Sequence, residues 1–260
     1  MTAIGGTSKR GKFRRTRRGW ANRGWQAVAA ASVLLLCGAA GNAWLHESFE
    51  TLDKWTTYSF PGIDKPTTYK VDAGGRDGHV LACVADNSAS ALMMRREFDV
   101  YDYPALEWRW KVANVLEAGD ARRKSGDDYP LRVYVMFPFD PEKASWTERA
   151  KYRAAKLLYG ERPPRSALNY IWANRKQKKQ VMKSPYTDRS RLVILQQGDR
   201  NVGQWRTERV HILRDYQRAF GEKPPRKARL AIMADADNTG GRSVAYIDYV
   251  RVLSQHLDAP

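Results

Sequence analysis

The chain has 260 residues, 43% of them hydrophobic, with 45 Lys and Arg against 28 Asp and Glu and a formal net charge of +17. That length holds a real core in one large domain or two small ones. Beyond the N-terminal region the single cysteine, Cys83, excludes an internal disulfide, so the fold must rest on its core.

The charge is uneven. Lys9, Arg10, Lys12, Arg14, Arg15, Arg17, Arg18 and Arg23 precede any acid, and the first acid is Glu47. These eight account for eight of the seventeen net charges, which leaves a basic remainder that favours acidic partners without choosing among them. The basic run leads into AVAAASVLLLCGAAG, Ala27 to Gly41, a positive n-region followed by an apolar h-region. Cleavage points follow Ala40 and Ala43. The uncharged stretch from Gly24 to Leu45 is also long enough to remain as an anchor, since about 20 residues span a bilayer. Residues 1–46 are therefore expected to form a signal peptide or inner-membrane anchor helix. The rest is expected outside the cytoplasm, periplasmic or held at the inner membrane.

From His46 onward period-two alternation dominates. HVLACVA, LEWRWKV, LRVYVMF, RLVILQQ, ARLAIMA and VAYIDYVRV read as short strands separated by DAGGRDG, EAGD and DNTGG turns. In LEWRWKV the residues Leu106, Trp108, Trp110 and Val112 share one face, which reads as core. Two segments break the rhythm. The stretch from Pro141 to Pro164 offers Ser145 as an N-cap with Glu148 three residues on, then a helical run closed by Gly160. The stretch from Thr207 to Pro225 repeats this, ending near Gly221. The expectation is a mainly β, antiparallel jelly-roll-like sandwich over residues 47–254, with two inserted helices and a 255–260 tail.

Chemistry-bearing motifs are few. There is no glycine-rich phosphate loop, no Gly-x-Ser-x-Gly elbow, and no metal-ligand spacing among His46, His79, His211 and His256. The basic run Asn174 to Lys183 reads as a solvated loop, and nucleic acid is not an expected partner for an exported chain. Asp127 and Asp128 precede one strand and Asp188 another. Asp235, Asp237, Thr239 and Gly240 partly match a calcium loop, but its twelfth position is Tyr246 rather than glutamate, which excludes an EF-hand. Turn chemistry competes with function at all of these aspartates. Asp235 is expected to share a strand face with Ala231 and Met233, with Asp128 approaching from another strand end. Arg132 or Arg242 would compensate the charge inside the chain, and calcium from outside.

The stretches KSGDDYPLRVYVMF, LNYIWAN, SPYTDRSRLVIL, VGQWRTERVHILRDYQRAFGEKPP and MADADNTGG resemble, in order and style, the bacterial domain-of-unknown-function 3047 family. The likeness runs from about Trp55 to Val252. It implies export and a jelly-roll-like sandwich, and supplies no reaction. The early SFE and the late YIDYVRV are similar to jelly-roll carbohydrate-binding modules. That likeness implies a structural calcium between Glu50 and Asp248.

The reading is a non-enzymatic envelope protein that binds a glycan or another, anionic, envelope polymer. Its ligand-facing set is Asp128, Arg132, Asp235, Asp237 and Asn238, with Tyr170 and Trp172 as aromatic members. One competing reading is a glycan-active hydrolase or lyase using paired carboxylates from Asp127, Asp128, Asp235 or Asp237 as acid and base, and another is a purely structural envelope component. No cofactor is expected beyond a possible structural calcium.

Overall fold

The computed structural model describes residues 43–142, 145–147, 149 and 164–254. The expected N-terminal helix, almost all of the first inserted helix and the 255–260 tail lie outside the described residues.

Strand pairing builds two sheets that form a sandwich. The first runs β12 (Arg206–His211), β7 (Ala105–Val112), β14 (Arg242–Leu253), β4 (His79–Asp86) and β3 (Thr68–Ala73), with β1 (Ala43–Glu47) also on β14. The second runs β10 (Val181–Lys183), β11 (Ser190–Gln197), β9 (Ser166–Ala173), β8 (Arg132–Phe137), β13 (Lys227–Asp235), β5 (Ala89–Met94) and β2 (Trp55–Ser59). The two-residue β6 (Phe98–Asp99) adds to β13. All pairings are antiparallel except β9 with β11. The basic Asn174–Lys183 run supplies the return for that parallel pair: Arg175, Lys178 and Lys179 are exposed, and β10 then folds back onto the outside of β11.

Alternation assigns the faces. On β7, Leu106, Trp108, Trp110 and Val112 point inward and are fully buried. They meet Leu168, Tyr170 and Trp172 of β9, and Val133, Val135 and Phe137 of β8. Ring centroids lie 5.4 Å apart for Trp108 and Trp110, 5.5 Å for Trp108 and Tyr170, and 5.7 Å for Trp110 and Trp172. Large aromatics at these spacings dominate the energy of a core.

Among the described residues one α-helix is complete, α1 (Ile212–Phe220); Trp146, Thr147 and Arg149, within the expected first inserted helix, are helical too, and the Arg149 N–H donates to the Ser145 carbonyl at 2.9 Å. His211 caps it by accepting the Arg214 N–H at its Nδ1, 3.3 Å, and Gly221 ends it at φ 77°, a left-handed conformation that glycine adopts without strain. Tyr216 anchors the helix against Phe137, centroids 4.8 Å apart. No helix of the described residues is long and apolar enough to cross a membrane.

The central antiparallel pair of the second sheet is β8 with β13. Arg132 lies opposite Met233 and Val135 opposite Leu230. The loop entering β8 and the loop leaving β13 therefore meet at one end of the sheet. The outward rows of β5, β13, β8 and β9 form one continuous surface there.

Candidate functional site

Two loops are tied together at that end. The Asp235 N–H donates to the Tyr129 carbonyl, 3.2 Å, and the Tyr129 N–H donates to Asp235 Oδ1, 3.0 Å. Arg132 Nη2 donates to Asp235 Oδ2, and its Nη1 lies 3.8 Å from Asp127 Oδ2. Tyr129 donates its hydroxyl to Asp127, 2.8 Å. Its ring also lies 4.8 Å from the Arg132 guanidinium, a cation–π contact. The in-chain cation for Asp235 is thus Arg132.

Asp128 does a different job. Its Oδ2 accepts from the Thr239 N–H at 2.7 Å and the Thr239 hydroxyl at 2.6 Å. Its Oδ1 accepts from Asn238 Nδ2 at 2.9 Å and the Asn238 N–H at 3.3 Å. Four donors on one fully buried carboxylate fix the turn that follows Asp237. Gly240 closes that turn at φ 64°, and a Cβ at Gly241 would meet Leu116 Cδ2 at 2.8 Å. From below, Asn174 Nδ2 donates to the Asp128 carbonyl, 2.6 Å, while its Oδ1 accepts the Leu116 N–H, 2.8 Å.

Carboxylate oxygens of Asp128, Asp235 and Asp237 all lie within 4.8 Å of one another. Burial raises the pKa of Asp235, with Arg132 opposing it and Asp128 and Asp127 adding to it. Burial also raises Asp127, against Arg132. Asp237 is raised by burial and then by the charge of Asp128. Asp237 forms no ion pair with a basic side chain among the described residues.

These loops stand at one end of a groove of about 710 Å³ across the outward face of the second sheet. Its floor is apolar: Ala89, Ala91 and Met93 of β5, Ala231 and Met233 of β13, and Tyr134 and Met136 of β8. Tyr58, Phe60 and Ile63 form one wall. Asp127, Arg132, Asp235, Asp237, Asn238 and the half-exposed Tyr186 gather at one end, and Arg229 pairs with Glu97 at 3.0 Å toward the other. Three buried polar atoms of groove-lining residues have no hydrogen-bond partner among the described residues: Arg132 Nε, Asn169 Oδ1 and Arg229 Nε. An unmade bond to a buried polar group costs about 1–3 kcal/mol, so such atoms mark positions for a ligand's polar groups or for water.

Of the residues expected from sequence, Asp127, Asp128, Arg132, Asp235, Asp237 and Asn238 converge here. Tyr170 and Trp172 do not, and their assignment is corrected. Both side chains point into the core and are fully buried, with Tyr170 donating to Asp215 at 2.9 Å and Trp172 to the Gly198 carbonyl at 3.1 Å. Strand alternation gives their place on the groove face to Asn169. Glu50 and Asp248 have separate surroundings. Glu50 is exposed beside Ser48, 3.5 Å, whereas Asp248 is buried and holds Arg109 and, at 2.8 Å, the Arg76 N–H. β1 and β14 do pair, but the buried acid on β1 is Glu47, which accepts from Trp55 Nε1 at 3.1 Å. Asp188 is exposed near Lys183, 3.4 Å. Asn169, Tyr134 and Tyr186 are groove residues beyond the expected set. The signal in the sequence is Asn169 itself, a lone amide in the otherwise apolar SALNYIWA.

A family model described as "Protein of unknown function (DUF3047)" matches residues 53–251. No curated protein matches the sequence significantly. Among solved structures, the chain is similar to the family 11 carbohydrate-binding module of a Clostridium thermocellum cellulosomal cellulase. The identity is 11%, 83% of this chain and 96% of that one are covered, and the TM-score is 0.43. It is also similar to lectin I-B4 from Griffonia simplicifolia in its metal-free form, with 11% identity, 78% and 93% coverage and TM-score 0.37. A third likeness is to a Caldicellulosiruptor saccharolyticus CBM27-1 in complex with mannohexaose, with 11% identity, 82% and 98% coverage and TM-score 0.36.

Proposed function

The chain belongs to the DUF3047 family of proteins of unknown function, and we propose that this member is a non-enzymatic binder of a glycan or related envelope polymer, working outside the cytoplasm. The observation that carries the reading is the groove. It combines an apolar, partly aromatic floor with a few converging polar groups at one end, the usual composition of a ligand pocket. The apolar floor suits the C–H faces of sugar rings, and Arg132, Asn169 and Asp237 suit hydroxyls. Export is supported by the basic N-terminal run and the uncharged stretch after it.

The test is a glycan array probed with the full-length chain, beside an Ala91→Trp variant. Ala91 is 5% exposed on the groove floor, and an indole there fills the groove without removing a polar group. Binding to a defined glycan class, abolished in a folded Ala91→Trp variant, is the expected outcome. Binding that the indole leaves unchanged rules out this groove.

A second reading, glycan hydrolysis, is favoured by one observation. Asp127 and Asp237 both line the groove with their pKa values raised by burial, the state a general acid needs. Release of reducing sugar from a bound glycan, lost in Asp237→Asn, would select it over simple binding.

A further inference from the structure

Resting on the glycan reading, we infer that the groove selects a glycan segment carrying a protonated amine, and that the amine docks against Asp237.

The first ground is a charge inversion. The chain as a whole carries +17, yet the described residues that line the groove include four acids, Glu97, Asp127, Asp235 and Asp237, against two bases, Arg132 and Arg229. Both bases are engaged: Arg132 with Asp235 and Asp127, and Arg229 with Glu97. The acid left over is Asp237. It is half-buried, lines the groove, and stands with its carboxylate near those of Asp128 and Asp235. An entering anion would meet that uncompensated field directly, whereas an ammonium, with three donors and no acceptor, complements it. Burial and the neighbouring Asp128 raise the Asp237 carboxyl, and the more distant charge of Arg132 opposes them only in part.

The second ground is independent of the acids. Asn169 is 2% exposed, lines the groove, and leaves Oδ1 without a donor. Arg132 Nε and Arg229 Nε are donors without acceptors. Arg132 lies two residues before Tyr134 on β8, Asn169 stands directly opposite Tyr134 on β9, and Arg229 stands opposite Met136. From Arg132 to the Met136 level is four residues, about 13 Å of strand. A row of donor, acceptor and donor over that length, on an apolar floor, fits hydroxyls of a sugar chain, which can both donate and accept.

A divalent cation is the rival occupant of the carboxylate group. The oxygens of Asp128 already take four donors, and those of Asp235 take Arg132 and the Tyr129 N–H. A shared ion would have to displace several of these bonds, and Asp237 alone would remain as an uncommitted ligand.

The experiment is calorimetry of the full-length chain at about pH 6, where an amine is protonated. Four linear tetramers are the probes: glucosamine, N-acetylglucosamine, glucose and a hexuronic acid. The expected order places glucosamine about tenfold or more above the neutral tetramers, with the uronic acid weakest. Asp237→Asn should shrink the glucosamine-over-glucose ratio to within about threefold. The wild-type preference needs no variant, so it stands even where Asp237→Asn folds poorly. Equal or tighter binding of the uronic acid overturns the inference while leaving the glycan reading intact. So does a preference unchanged in a folded Asp237→Asn, or binding that requires calcium and vanishes with a chelator. Failure of all four tetramers together with a blank glycan array overturns the glycan reading itself.

Discussion

Asp128→Ala is the sharpest probe of how the site is built. The carboxylate is fully buried and receives four hydrogen bonds from Asn238 and Thr239, between 2.6 and 3.3 Å. Bonds to a charged acceptor are each worth about 1.5–3 kcal/mol, but they do not add when they serve one group. Two things lower the sum. Desolvation of the carboxylate offsets part of it, and Asn238 and Thr239 are only half-buried, so water reaches their freed donors. The expected loss is about 3–4 kcal/mol. Asp128→Asn keeps one acceptor oxygen for two donors and sets an NH₂ against the others, so about 2 kcal/mol is expected. Urea titration with an unchanged m-value measures both. Hydrogen exchange at the Asn238 and Thr239 amides should quicken in the alanine variant. A loss below about 1 kcal/mol with unchanged exchange, or an asparagine variant weaker than the alanine one, would refute the role of Asp128 as the anchor of the Asp237 turn.

Two further outcomes test the core and the electrostatics. Trp110→Ala should destabilise by about 3–5 kcal/mol, because the ring is fully buried between Trp108 and Trp172 and its Nε1 donates to Glu208 at 3.1 Å; a loss under about 1 kcal/mol in urea would remove it from the core. The Asp120 carboxyl is lowered to about 2, chiefly by hydrogen bonds from the Arg122 side chain. A depressed folded value stabilises above the unfolded value of about 3.9 and loses that contribution as pH falls toward the folded one. The stability gap between wild type and Asp120→Asn should therefore shrink between about pH 4 and pH 2, read by urea titration at stepped pH. A gap that is constant or widens over that range contradicts the pairing. The raised carboxyls of Asp127, Asp235 and Asp237 act with the opposite sign, losing stability as pH rises, and the variant difference removes them from the comparison.

The alternation in LEWRWKV carries enough information to send Trp108 and Trp110 inward, because Glu107, Arg109 and Lys111 mark the other face. SALNYIWA carries no such mark on both sides. All eight residues of β9 are buried, since it lies inside the second sheet with its outward face under the groove, and a strand covered on both faces reads as a continuous apolar run. Its phase is set from outside by register: Val133 of β8 faces Tyr170, and Tyr134 faces Asn169. Register is a long-range quantity, so Tyr170 and Trp172 read from sequence as ligand aromatics when they are core, and a single amide is all that hints at the groove face. The parallel β9–β11 pair is hidden for the same reason. The basic run between those strands reads as a solvated loop whichever way the chain returns.

The carboxylates are legible in kind because each sits beside a strand end. That they serve one site follows from β8 and β13 being antiparallel neighbours, which brings Asp128 against Asn238 and Thr239 across 110 and 111 residues of sequence. Adjacent residues then diverge in role. Asp127 lines the groove and is held by Arg132 and the buried Tyr129 hydroxyl, while Asp128 turns away to hold the opposite loop. Arg132 compensates the acids nearest it, and Asp128 is satisfied by neutral donors rather than by a cation. The loop pair therefore fixes Asp237 at the groove end without an ion pair of its own among the described residues, under only the partial influence of Arg132. A loop serving stability alone would be better built with Asn at that position, which makes the same turn without the repulsion. An acid there makes physical sense if a cation arrives with the ligand.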